Sequence, residues 1–326
     1  MNEPDPTTNG TAPHPTLVSP AAGSGTGTAL EAAEASTRRG HVGGFSAPVP
    51  TEPYDVARTM PLRVEMIRQL RRRRTQVAFA LVALLPVILW IAFSLAADGP
   101  PGASVNLVDL AKDSAANFAV FALFASAGFL LVVVVALFFG DTVASEASWS
   151  SLRYLLAAPV PRARLLRQKA IVAGVLSLAA LLLLPVVSLV VGAIAYGAGD
   201  LVAPTGESLS FWTAVGRVLL GAVYLALNMS WVAALALLLS VSTDAPLGAV
   251  GGAVMTSIVS QILDQITALE DLRDYLPTHY ANAWADLLST TVDWGDMTRG
   301  VFSAFCYAAV FCALAVWRFQ RKDITS

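Results

Sequence analysis

Residues able to do chemistry concentrate in one stretch, Phe139-Gly-Asp-Thr-Val-Ala-Ser-Glu-Ala-Ser-Trp-Ser-Ser-Leu-Arg-Tyr-Leu-Leu-Ala-Ala-Pro-Val-Pro-Arg162-Ala-Arg-Leu-Leu-Arg-Gln-Lys169. On a helix, Asp141, Ser145, Ser148 and Leu152 fall near one face. Glu146, Trp149, Arg153 and Leu156 form another, at spacings of three, four and three. A short helix here presents an acid, an aromatic and a base side by side. Pro159 and Pro161 end it and turn the chain, through Arg162, towards the next apolar run.

Two further charges stand inside apolar runs, Arg217 and Asp264. Burying a charge near the bilayer centre costs on the order of 2.5 to 3.5 kcal/mol. Both fall roughly 8 Å below the same boundary at 1.5 Å per residue, so the spacing predicts an Arg217–Asp264 ion pair between adjacent antiparallel helices. Gly248 and Gly252, four residues apart, predict close helix packing. Metal and redox chemistry have little to stand on. The histidines are His14, His41 and His279, and the cysteines Cys306 and Cys312 sit six residues apart in one apolar run. No cofactor bound by this chain is expected.

These residues must be positioned by a membrane fold. Of 326 residues, 56% are hydrophobic and only 13% charged, which excludes an ordinary water-soluble enzyme. The formal net charge of -2 gives no basis for a nucleic-acid partner. A bilayer core about 30 Å thick needs roughly 20 apolar residues as a helix. Six stretches qualify, approximately 76–97, 116–140, 170–198, 211–240, 247–269 and 299–319. Unsatisfied backbone groups are expensive in hydrocarbon, so each is expected to be a helix, kinked at Pro86 and Pro185 in the first and third. Residues 1–57 are rich in Pro, Gly, Thr, Ser and Ala without apolar periodicity, and read as a disordered cytoplasmic tail.

Arg and Lys crowd one side of these spans. Arg58, Arg63, Arg68 and Arg71 to Arg74 precede the first, Arg153, Arg162, Arg164, Arg167 and Lys169 separate the second from the third, and Arg318, Arg321 and Lys322 follow the sixth. Both termini are therefore expected in the cytoplasm. Leu62, Met66 and Leu70 recur every four residues, as in an amphipathic helix on the inner membrane surface. On the outer side Tyr280, Trp284, Leu287 and Leu288 follow helical spacing, with the aromatics suited to the water boundary. The expected fold class is an all-α integral membrane protein. It comprises a six-transmembrane-helix bundle, an amphipathic inner-surface helix, a cytoplasmic coupling helix and an external helical hairpin.

Residues 58–326 resemble the permease subunits of ABC-2 type transporters, most closely the copper-maturation and multidrug-like branch. The resemblance rests on Glu146, Ser150-Ser151, Leu152 to Leu156, Pro159-Val-Pro161-Arg162 and Lys169. It extends to the basic helix Glu65 to Arg74, the six-span layout and the ending Trp317-Arg318-Phe319-Gln320-Arg321-Lys322-Asp323-Ile324. Ser150 departs from the family, where glycine is usual. The resemblance implies that the loop bearing Asp141, Glu146, Trp149, Arg153, Pro159, Pro161 and Arg162 couples the spans to a separate ABC ATP-binding subunit. ATP and Mg would reside on that partner. In agreement, the chain has no Gly-Lys dipeptide and so no phosphate loop of its own. The expected function is a plasma-membrane permease of an exporter for an unknown cargo, pairing with a second copy or a similar permease among membrane lipids. The alternatives are a membrane-embedded enzyme and an ATP-independent channel or carrier. An enzyme would need a nucleophile, a metal site or paired carboxylates in the spans. A carrier would be expected to have polar midplane positions or broken helices in matched halves.

Overall fold

The computed structural model describes residues 62–95, 107–148, 162–203 and 206–321. The tail 1–57 and the coupling residues Trp149, Arg153, Pro159 and Pro161 lie outside the described residues. Helices α1 (Leu62–Leu70) and α2 (Arg73–Leu95) are followed by α3 (Leu107–Ala111), α4 (Ala115–Ala127), α5 (Leu130–Ser148) and α6 (Arg162–Ala195). A two-stranded antiparallel pair, β1 (Leu201–Val202) and β2 (Ser208–Leu209), leads into α7 (Phe211–Asn228), α8 (Ser230–Ser242) and α9 (Pro246–Asp264). Two 3-10 segments, Thr267–Tyr275 and His279–Leu288, precede α10 (Gly295–Arg321).

Six helical units are long and apolar enough to cross a membrane, with α7 and α8 acting as one. Five of the six expected spans coincide with such a unit and the second is displaced towards α5, so helix and apolar run are not the same object. The third starts eight residues early, at Arg162, because arginines and leucines are good helix formers and the backbone bonds continue past the hydrocarbon. The fifth is shorter than expected and ends at Asp264. The second run is two helices. Ser126 Oγ donates back to the Ala122 carbonyl at 2.7 Å, and Gly128 follows as the C-cap, a combination that breaks α4 from α5. The fourth breaks at Met229, whose N–H still reaches Leu225 O.

The bundle core brings α5, α6 and α8 together around Leu131, Val135, Leu181 and Val232. Small residues set the closest approaches. A Cβ on Gly140 of α5 would stand 2.9 Å from Val250 Cγ2 of α9, and one on Gly192 of α6 would stand 2.8 Å from the Ala115 backbone of α4. Beside Gly140 the Ser240 hydroxyl of α8 accepts from the Val143 and Ala144 amides, both at 3.0 Å. At the far end Ser114 caps α4, and Asn117 pairs both edges of its amide with the Val202 backbone, fixing β1 above the helix.

The segment between α9 and α10 departs from expectation in kind. It forms 3-10 turns, and Trp284 is fully buried within the protein. Its indole packs against Phe124, ring centroids 4.3 Å apart and tilted by 35°, and lies where a Cβ on Gly221 of α7 would come within 2.9 Å. The glycine makes room for the ring, and burial of so large an apolar surface outweighs the interfacial preference.

Candidate functional site

Two acids on the last turns of α5 gather the basic residues of neighbouring helices. Asp141 accepts from Arg74 Nη1 at 2.5 Å and from Arg72 Nη1 at 3.2 Å. Ser145 donates to the Asp141 carbonyl at 2.6 Å and accepts weakly from Arg72. Glu146 Oε1 lies 2.6 Å from Lys169 Nζ of α6 and 2.7 Å from Arg68 Nη2 of α1. Arg68 also grips Glu65 at 2.8 Å, while Lys169 stands 3.6 Å from the same carboxylate. Lys169, Glu146 and Glu65 are 2%, 4% and 5% exposed. Removing one partner from such a buried set costs far more than the set contributes to stability.

The reason α1 turns its polar face inward follows from this network. Glu65 and Gln69, four residues apart, point at the protein, and Gln69 Nε2 donates to Glu65 at 3.1 Å. Leu62, Val64, Ile67 and Leu70 are left exposed, free to enter lipid. Burial alone would raise the Glu65 carboxyl, but Lys169 and then Arg68 more than offset this and hold it below its ordinary value. Burial disfavours the Arg68 cation, yet Glu65 and Glu146 together raise it above the usual arginine range.

This corrects one expectation. Asp141 and Glu146 do not begin a separate helix beneath the membrane. The helix runs unbroken through Gly140 to Ser148, so both acids belong to the span and face inward. Nothing in the local sequence marked their partners. Glu65, the single acid of α1, and Lys169, the eighth residue of α6, were the available signals. Arg162, the last of the coupling residues, donates to the Gln320 carbonyl at the end of α10 at 3.2 Å.

The expected Arg217–Asp264 pair is absent. Arg217 Nη1 donates to the Leu287 carbonyl at 2.9 Å and also to the Ser289 carbonyl, at the C-terminal end of the second 3-10 segment. Asp264 instead meets His279, whose Nδ1 lies 2.6 Å from it and whose Nε2 lies 3.2 Å from Asp274. Matching depth in two spans assumed that they touch, but the segment between spans five and six folds back and supplies partners to both. Free carbonyls at a helix end suit a cation, which is what Arg217 provides. Of the two packing glycines, Gly252 faces Leu239 of α8, where a Cβ would come within 2.9 Å. Gly248 lies in the first turn of α9 and is exposed.

A polar cavity of about 110 Å³ lies where both helix breaks meet α9, lined by Gly128, Asn228, Ser257, Gln261, Asp264 and His279 among others. Gln261 Nε2 donates to the Gly128 carbonyl at 2.9 Å and to Ser257 at 3.2 Å. Asn228 is 3% exposed, and its Nδ2 has no hydrogen-bond partner among the described residues. The arrangement offers donors and acceptors to a small polar occupant.

Residues 109–325 match a family described as proteins of unknown function, DUF2705. The chain belongs to that family. The DUF2705 region takes in Asp141, Glu146, Lys169, the cavity and the last five spans, while α1, α2 and their arginines precede it. No curated protein matches the chain.

Proposed function

We propose that this chain is the membrane-spanning permease subunit of an ATP-driven, ABC-2 type exporter, with ATP hydrolysed by a separate subunit. Both termini lie in the cytoplasm and two permeases form the pathway in the plasma membrane. The observation that carries the reading is the link from Glu146 to Lys169 and Arg68. The connection 149–161 leaves α5 three residues after Glu146 and re-enters at α6, so a load applied to it is passed through charged contacts to α1, α5 and α6. The concentration of arginine at that end, from α1, α2, α6 and α10, supports its cytoplasmic orientation. The resemblance of 139–169 to the ABC-2 coupling loop supplies the identity of the partner.

A photo-crosslinking residue at Trp149 is expected to trap a nucleotide-hydrolysing subunit in intact cells. Trp149→Ala and Arg153→Ala are expected to reduce ATPase stimulation by the permease without lowering its melting temperature. Recovery of no ATPase at Trp149 from a fully expressed protein would sink the proposal. One observation favours an ATP-independent carrier: two broken spans meet at a polar cavity. The breaks fall in spans two and four, however, which are not equivalent positions of two three-span halves. Transport persisting in vesicles without nucleotide would favour the carrier.

A further inference from the structure

At the arginine-rich end, α6, α8 and α10 enclose a groove of about 610 Å³. Its floor is Leu166 and Leu237, both buried, and its wall carries Ala170, Cys312 and Val316. Arg164 and Arg167 stand on it from the first two turns of α6. Three residues apart on a helix, they are neighbours on one face, within reach of a single anion. Arg167 is exposed, and among the described residues its guanidinium makes no hydrogen bond or ion pair.

The order of these groups along the helices matters. Arg164 and Arg167 lie within six residues of the start of α6, Leu237 within six of the end of α8, and Cys312 and Val316 within ten of the end of α10. The cations therefore sit at the membrane boundary and the apolar wall runs from them into the bundle. A groove of this volume is in the range that small ligands fill, roughly 300 to 1,000 Å³. A soluble anion would use the arginines and leave the apolar wall in contact with water. A neutral lipid would fill the wall and leave Arg167 without a counter-charge.

We propose that this groove is a binding site for one anionic phospholipid, with its phosphate on Arg164 and Arg167 and an acyl chain along Leu166, Leu237, Cys312 and Val316. Basic pockets between membrane helices recognise anionic headgroups in this way, with about 1 kcal/mol from each arginine near the surface, or roughly five-fold in affinity. The site is separate from the Glu146–Lys169 network and holds whether or not an ATPase docks on the chain.

The test is native mass spectrometry of the full-length protein released from nanodiscs of equal phosphatidylglycerol and phosphatidylcholine. The wild type is expected to retain one phosphatidylglycerol in preference to phosphatidylcholine. Arg167→Gln is expected to lose about five-fold of that preference, and Arg164→Gln/Arg167→Gln about twenty-five-fold, while Arg167→Lys keeps most of it. Inorganic phosphate at millimolar concentration is expected not to displace the lipid, because it cannot replace the acyl chain. The proposal fails if the wild type retains the two lipids equally, if phosphate alone displaces the bound lipid, or if a folded Arg164→Gln/Arg167→Gln protein keeps the preference. Because the wild-type comparison needs no variant, a misfolded mutant leaves the test decisive.

Discussion

Lys169 and Glu146 meet at 2.6 Å with 2% and 4% of their surfaces exposed, joining the first turns of α6 to the last turn of α5 where the chain leaves the bundle. Two carboxylates face this enclosed lysine, Glu146 at 2.6 Å and Glu65 at 3.6 Å, so burial of the cation is matched by opposite charge.

Breaking that contact from one side should therefore be costly. Lys169→Met is expected to destabilise the protein by about 3 kcal/mol or more, since it leaves two buried carboxylates facing each other without the ammonium that stands between them. Adding Glu146→Gln should recover part of the loss. Thermal unfolding of the two single variants and the double variant in one detergent checks this, and additive losses would contradict the pairing.

The same cluster sets an acid limit. The Glu65 carboxyl is held below its ordinary value of 4.5. A depressed carboxylate contributes stability in full above its unfolded value and loses it as pH falls through the folded one. The wild type should thus lose stability below pH 4.5, and Glu65→Gln should lose less over that window while being weaker at neutral pH. Melting temperature against pH for the two proteins decides it.

Arg217 and Asp264 should behave independently. Their variants Arg217→Ala and Asp264→Asn are expected to add within about 0.5 kcal/mol, as unconnected sites do. Asp264→Asn and His279→Ala share a 2.6 Å contact and should couple by about 0.5 kcal/mol or more. Two double-mutant cycles on denaturation separate these cases.

Gly221 is a steric prediction. Alanine there places a methyl 2.9 Å from the Trp284 ring, and overpacking of that kind costs about 1 to 3 kcal/mol. Tryptophan fluorescence should report a displaced indole in Gly221→Ala, whereas Gly216→Ala, with open space around it, should leave the spectrum unchanged.

The spans were legible in the sequence because a bilayer demands long apolar runs and an internally bonded backbone, requirements met residue by residue. The partners of charged residues were not, because they depend on which helices touch. Arg217 illustrates the difference: its burial followed from its place in an apolar run, but its acceptors are backbone carbonyls seventy and seventy-two positions away. Helical spacing marks Glu146, yet Arg68 and Lys169, which contact it, come from two other helices. The break at Gly128 had a signal in Ser126 and Gly128 that hydropathy alone conceals. The spacing of Trp284 does not disclose its burial, because the room for its ring depends on Gly221, sixty-three residues earlier.

The hydroxyl of Ser240 has a mechanical corollary. It is the shared acceptor of two successive amides on α5, those of Val143 and Ala144, and these lie between Asp141 and Glu146. Any sliding or rotation of the charged end of α5 along α8 breaks both of these interhelical hydrogen bonds at once. The helix pair is thereby indexed to one register, and a push on the chain beyond Ser148 must either move α8 with α5 or break the two contacts together.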